Sequence, residues 1–249
     1  MTMPNKTDIT TEDGVCPAHV FRPAGTGPWP AVLFFMDGLG IRPALFEMAE
    51  RLAAHGYYVL LPDLYYRIGP YEPMDAKRIF SEPELRQALF QKFIGKFSQA
   101  HAMRDTRAAL AYLASQPDVA PGKIGATGYC MGGGLAIAAA GHFPDRFAAV
   151  AAYHPGSLAT DAPDSPHLLA PKIQAKVYVG QASDDANFPE AMKARLDAAL
   201  TEAGVAHTIE LYPARHGWVP SDTPVHDAAA AERHWQTLFA LLDDALRRS

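Results

Sequence analysis

Cys130 is the residue best placed to act as a nucleophile. It stands in GYCMGG, the pattern G-x-C-x-G, between the run KIGATGY and the alanine-rich stretch LAIAAAG. A strand–turn–helix of this kind lifts a nucleophilic side chain off the top of a sheet on a sharp turn. Backbone angles at such a turn are strained, and neighbouring side chains would collide with the strand and helix. Gly128 and Gly132 meet that need, while Gly133 and Gly134 let the helix start close to the sheet. A helix N-terminus also offers unpaired N–H groups and a positive dipole end, which favour a thiolate. The plainer alternative is a buried cysteine in a small-residue packing site.

A cysteine nucleophile needs a base to keep it ionised and a carboxylate to orient that base. Beyond an elbow of this type the partners follow in the order acid, then histidine. The apolar run IQAKVYVG leads into GQASDDANFP, with Asp184 and Asp185, and HTIELYP leads into ARHGW, with His216. Both sites fall just past the ends of predicted strands, and spacing alone leaves the two aspartates open. His154, in YHPG, is the competing histidine. Its place after the strand beside the elbow is early for the base and suits substrate contact or structure. A developing oxyanion requires two backbone donors. Met131, directly after the nucleophile, supplies one N–H, and Gly38, in the loop after AVLFFM, is the natural second.

These groups demand a scaffold of alternating strands and helices. Strands are expected at 15–22, 31–36, 57–63, 123–129, 146–154, 173–181 and 206–213, and helices at 43–55, 99–116, 189–203 and 227–246, with another after the elbow. Unbroken apolar runs such as AVLFFM suit strands buried on both faces of a parallel sheet. The expectation is an α/β fold, a mostly parallel, doubly wound sheet flanked by helices, in one domain spanning 1–249. Between 64 and 98 the rhythm is lost among prolines and aromatics, the place for a substrate-covering insertion.

Length and composition fit such an enzyme. The 249 residues are 49% hydrophobic and 20% charged, enough for one large core. A net charge of −5, spread along the chain, argues against nucleic acid and against a polybasic membrane patch. No apolar stretch is long enough to cross a bilayer and the first residues lack a signal-peptide core, so a cytoplasmic location is expected. In a reducing compartment Cys16 is expected to be a small core residue rather than a disulfide partner. Among ten histidines no pair has helical metal-site spacing, and there is no C-x-x-C, so no metal is expected. The glycines at 125–134 match neither phosphate-binding pattern, and no cofactor is expected.

With these residues in view, the chain resembles the dienelactone hydrolase family of the α/β-hydrolase fold. The resemblance rests on MDGLG at 36–40, HGYYVLLPDLYYR at 55–67, GKIGATGYCMGG at 122–133, GQASDDANFP at 180–189 and HGW at 216–218. It implies Cys130, Asp185 and His216 as the catalytic residues, since the family's aspartate stands four residues before a proline, as Asp185 does before Pro189. It implies a role for Asp37 in controlling the thiol. The implied activity is hydrolysis of a small-molecule ester or lactone through a thioester. Where family prototypes carry an arginine four residues after the histidine, this chain has Pro220; Arg67, Arg78, Arg86 and Arg215 are candidate replacements. Phe35, Tyr65, Tyr66, Tyr153, Phe188 and Trp218, near predicted strand ends, are candidate pocket aromatics. Thioester hydrolysis or acyl transfer on the same residues is one alternative, and a non-catalytic thiol sensor another.

Overall fold

The computed structural model describes residues 5–247. Their centre is an eight-stranded sheet of order β1-β2-β4-β3-β5-β6-β7-β8. The strands are β1 (Asn5–Thr11), β2 (Gly14–Phe21), β3 (Ala31–Phe35), β4 (Tyr58–Pro62), β5 (Ile124–Tyr129), β6 (Phe147–Tyr153), β7 (Lys176–Asp184) and β8 (His207–Arg215). β1 and β2 pair antiparallel, as do β2 and β4, and every later pairing is parallel. β3 and β4 are buried along their whole length, as their unbroken apolar runs require, and the small-residue strand β5 is buried along its whole length between β3 and β6.

Helices cover both faces. On one side lie α1 (Pro43–Ala54) and α7 (Ala228–Leu246). Pro43 opens α1 with a φ already suited to a helix, and its buried residues recur at helical spacing. Asp227 caps α7 by accepting from the Ala230 N–H at 2.8 Å. His55 stacks on Phe239 of α7 with ring centroids 3.7 Å apart. On the other side are α4 (Gln99–Ser115), α5 (Met131–His142) and α6 (Glu190–Glu202). Nearly all of α5 is buried, so its Gly/Ala composition reflects close packing rather than amphipathicity. Residues 64–98 form short 3₁₀ turns and two small helices, α2 (Ala76–Ser81) and α3 (Pro83–Lys92).

The expected strand–helix alternation is present, with three adjustments. β1 was not anticipated: only Ile9 is buried along it, so it has no hydrophobic alternation to read. β7 and β8 run further than expected, to Asp184 and Arg215. Asp185 and His216 are therefore the first residues beyond two adjacent parallel strands.

Candidate active site

Cys130 occupies the turn between β5 and α5 with φ 53° and ψ −118°, a conformation that strains any L residue with a side chain. The surrounding backbone holds it there. The Cys130 N–H donates to the Tyr153 carbonyl at 3.1 Å, and its own carbonyl accepts from Gly133 at 3.1 Å. A Cβ on Gly128 would stand 1.9 Å from the Gly132 oxygen, and one on Gly132 would stand 2.4 Å from the Phe35 oxygen. Both obstacles are backbone and cannot swing away. Gly134 differs from the expectation, because a Cβ there would meet only ordinary contacts from 3.6 Å outward.

Beyond β7 and β8, Asp185 and His216 meet. The His216 Nδ1–H donates to Asp185 Oδ2 at 2.6 Å. The Asp185 side chain is fully buried, and its second oxygen accepts from the Asn187 N–H at 2.9 Å and the Asn187 amide at 3.0 Å. Burial opposes a charge on His216, but hydrogen bonding and charge from Cys130 and Asp185 outweigh it and push the imidazole up to about 10. Asn187, which holds the carboxylate, was not anticipated; the D-x-N spacing of an Asx turn was the available signal.

The loop carrying Asp37 and Gly38 is pinned from three sides. Arg42, buried at 2% exposure, donates to both Asp37 oxygens at 2.7 and 2.9 Å. The same guanidinium donates to Asp222, beyond His216, at 2.6 and 3.2 Å. Tyr65 donates its hydroxyl hydrogen to the Gly38 carbonyl at 3.0 Å. Tyr71 accepts from the Ile41 N–H at 3.0 Å and donates to Asp63 at 2.9 Å. Neither Arg42 nor Asp222 was singled out from the sequence. Met131 opens α5, and the first N–H groups of a helix have no partner within it.

Cys130, His216, Asp37 and Gly38 line one cavity of about 390 Å³. Its walls come from Ile79, Phe80, Leu89 and Ile94 of the 64–98 segment and from Pro220, Thr223 and Val225. Arg86 and Arg215 also line it, and both are exposed. Arg67 does not lie there. Its guanidinium is held by Asp13 at 2.6 Å and Asp105 at 2.7 Å, on the β1–β2 side of the sheet. Arg78 pairs with Glu82 on the exposed face of α2.

The candidate aromatics are placed differently from the expectation. Phe35 is core, at 1% exposure. Tyr65 braces the Gly38 loop rather than facing the cavity. Tyr66 bonds Thr11 and Asp105, away from the site. Tyr153 turns its hydroxyl to Thr237 of α7 at 3.0 Å. Trp218 is buried and stacks on Tyr212, and Phe188 is core, its carbonyl accepting from Gln181. Each follows the ordinary tendency of large aromatics to be buried.

His154 does line the cavity. It has a positive φ of 37°, is 1% exposed, and lies 5.2 Å from the His216 ring centroid. Both its ring nitrogens are buried without a hydrogen-bond partner among the described residues. Burial, and then the neighbouring His216 and His234, hold its pKa well below the ordinary histidine range, so it stays neutral. Cys16, by contrast, sits in the core at 1% exposure, where burial pushes its thiol pKa up.

A mostly parallel sheet with a strained, glycine-flanked strand–turn–helix at its centre, and an aspartate–histidine pair beyond later strands, is the α/β-hydrolase fold. The dienelactone hydrolase family profile matches residues 16–246, and the chain belongs to that family. It is a hydrolase. It is 30% identical over 236 residues to the "Putative carboxymethylenebutenolidase" of Methylorubrum extorquens, covering 92% of this chain and 77% of that one. A protein of the same name from Synechocystis is 28% identical, covering 99% of this chain and 100% of the relative. Among solved structures, a "Putative Dienelactone Hydrolase" of Klebsiella pneumoniae superposes with a TM-score of 0.84 at 23% identity, covering 96% of this chain and 98% of that one. No helix among the described residues is long and apolar enough to cross a membrane.

Proposed function

We propose that this hydrolase cleaves a carboxylic ester or lactone with Cys130 as nucleophile. The single observation that carries the reading is the Asp185–His216 pair, 2.6 Å apart, with its imidazole raised by the Cys130 sulfur. The thiolate attacks the carbonyl carbon, forming a C–S bond. The oxyanion is received by the N–H groups of Met131 and Gly38. His216 gives its proton to the departing alkoxide as the C–O bond breaks. Water then attacks the thioester, His216 takes its proton, and the C–S bond breaks to release the acid.

Asp37 serves chiefly as an anchor in this reading. With both oxygens engaged by Arg42, it acts on the thiol only as a neutralised neighbour. Residues 64–98 are the substrate-covering segment, since they supply much of the cavity wall. Arg86 and Arg215 take the place of the arginine that Pro220 replaces, offering positive charge to a substrate carboxylate. The carboxymethylenebutenolidase names of the relatives make a dienelactone the first substrate to try.

The test is hydrolysis of an aryl acetate and of a dienelactone by wild type and Cys130→Ala. Turnover of both, lost in the variant, is expected. Turnover of the aryl ester alone would keep the chemistry and remove the dienelactone. Full activity in Cys130→Ala would overturn the scheme.

A further inference from the structure

Cys130 and His216 line a second cavity as well, of about 440 Å³. It shares Ile94 and Asn187 with the first and extends the other way, between α5, the segment after β6 and the tip of the 64–98 insertion. The thiol therefore sits at the neck between two chambers, each within the usual size range of small-ligand pockets.

The two chambers differ in chemistry. The first carries Arg86 and Arg215, exposed and without an ion pair among the described residues, while its one aspartate is neutralised by Arg42. The second is walled by Phe90, Ile94, Met131, Leu135 and Pro166 together with the uncharged Gln99, Ser157 and Thr160, and the only carboxylate in its lining is Asp164. Phe90 is 59% exposed, so its ring is free to pack against a substrate chain. His216 is common to both chambers, so an anion is favoured in the first by the two arginines that only that chamber adds.

We propose that the preferred substrates are open-chain esters with a carboxylate on one side of the scissile carbonyl and an apolar chain on the other. The chain lies in the Phe90 chamber and the carboxylate in the arginine chamber. A compact lactone, whose acyl and alkoxide halves are tied in one ring, fills only one of them. This inference rests on the Cys130 chemistry above. The reaction remains hydrolysis, releasing a carboxylic acid and an alcohol, one of which carries the extra carboxylate.

Two ester series test it. Monoalkyl succinates from methyl to octyl put the chain on the alcohol half, and O-acyl glycolates from acetyl to decanoyl put it on the acyl half. In one of the series kcat/KM is expected to rise at least tenfold from shortest to longest. Phe90→Ala, at an exposed position, is expected to cut that long-to-short ratio about threefold, and Thr160→Trp, which fills the same chamber, to cut it further. A flat length dependence in both series, with Cys130-dependent turnover of the shortest ester intact, would overturn the inference and leave the proposed function standing. A length dependence that neither variant changes would also overturn it. Absence of any Cys130-dependent turnover would remove both.

Discussion

Two buried carboxylates stand on opposite sides of Cys130, and their partners make them different devices. Asp37 is gripped through both oxygens by Arg42, a cation that never gives up its proton near neutral pH. Asp185 is bonded to His216, whose proton can move. Position relative to Cys130 therefore does not assign a role; the titratability of the partner does. In the proposed mechanism the Asp37 pair fixes backbone and the Asp185 pair moves a proton.

Asparagine at each position separates the two. Asp185→Asn is expected to lower kcat by roughly 10⁴, the loss found when the orienting acid of a triad is removed. Asp37→Asn is expected to act mainly on the fold, costing about 3 kcal/mol in denaturant unfolding, because it leaves a buried guanidinium short of a counter-charge. Equal kcat losses in two folded variants would erase the distinction.

Alkylation sharpens it from the side of the sulfur. Iodoacetamide at neutral pH should modify Cys130 and spare Cys16 in the folded protein. Asp185→Asn should slow the Cys130 reaction about tenfold, since the imidazolium that stabilises the thiolate loses its carboxylate. Asp37→Asn should slow it less. Peptide mapping of a time course reads both rates.

The smallest effect is on stability against pH. His216 holds its proton to about pH 10 in the folded chain, against an ordinary value of 6.5. Its contribution is therefore complete below pH 6.5 and is lost as the pH climbs to 10. Over that interval the wild-type Tm should fall further than that of His216→Gln. Parallel curves would mean the imidazole is not held charged.

The parts of the fold that bury a continuous run were readable in the chain itself. AVLFF and YVLLP are strands enclosed on both faces, and nothing but burial explains such runs. β1 escaped because it is an edge strand with one buried side chain, and periodicity registers burial rather than pairing. The site divides in the same way. Cys130 and His216 are marked by local context, a glycine-flanked turn and the end of a strand. Arg42 and Asp222 are joined across 180 residues, and no local pattern signals that bond. Arg67 stands among the candidate replacements for the arginine missing at 220, yet Asp13 and Asp105 claim it from elsewhere in the chain. Aromatics were the least legible, since a ring at a strand end packs inward as readily as it faces a ligand.

At the elbow, the constraints at positions 128 and 132 come from main-chain atoms of neighbouring segments and would be the same whichever side chain stood at 130. Reactivity and architecture are thus inherited separately. A change of side chain at 130 is a one-residue event with little structural consequence, whereas a side chain at 128 would force apart β5 and the start of α5, and one at 132 would force α5 off the end of β3. The chemistry of a single side-chain atom at 130 can therefore change while the frame around it stays fixed.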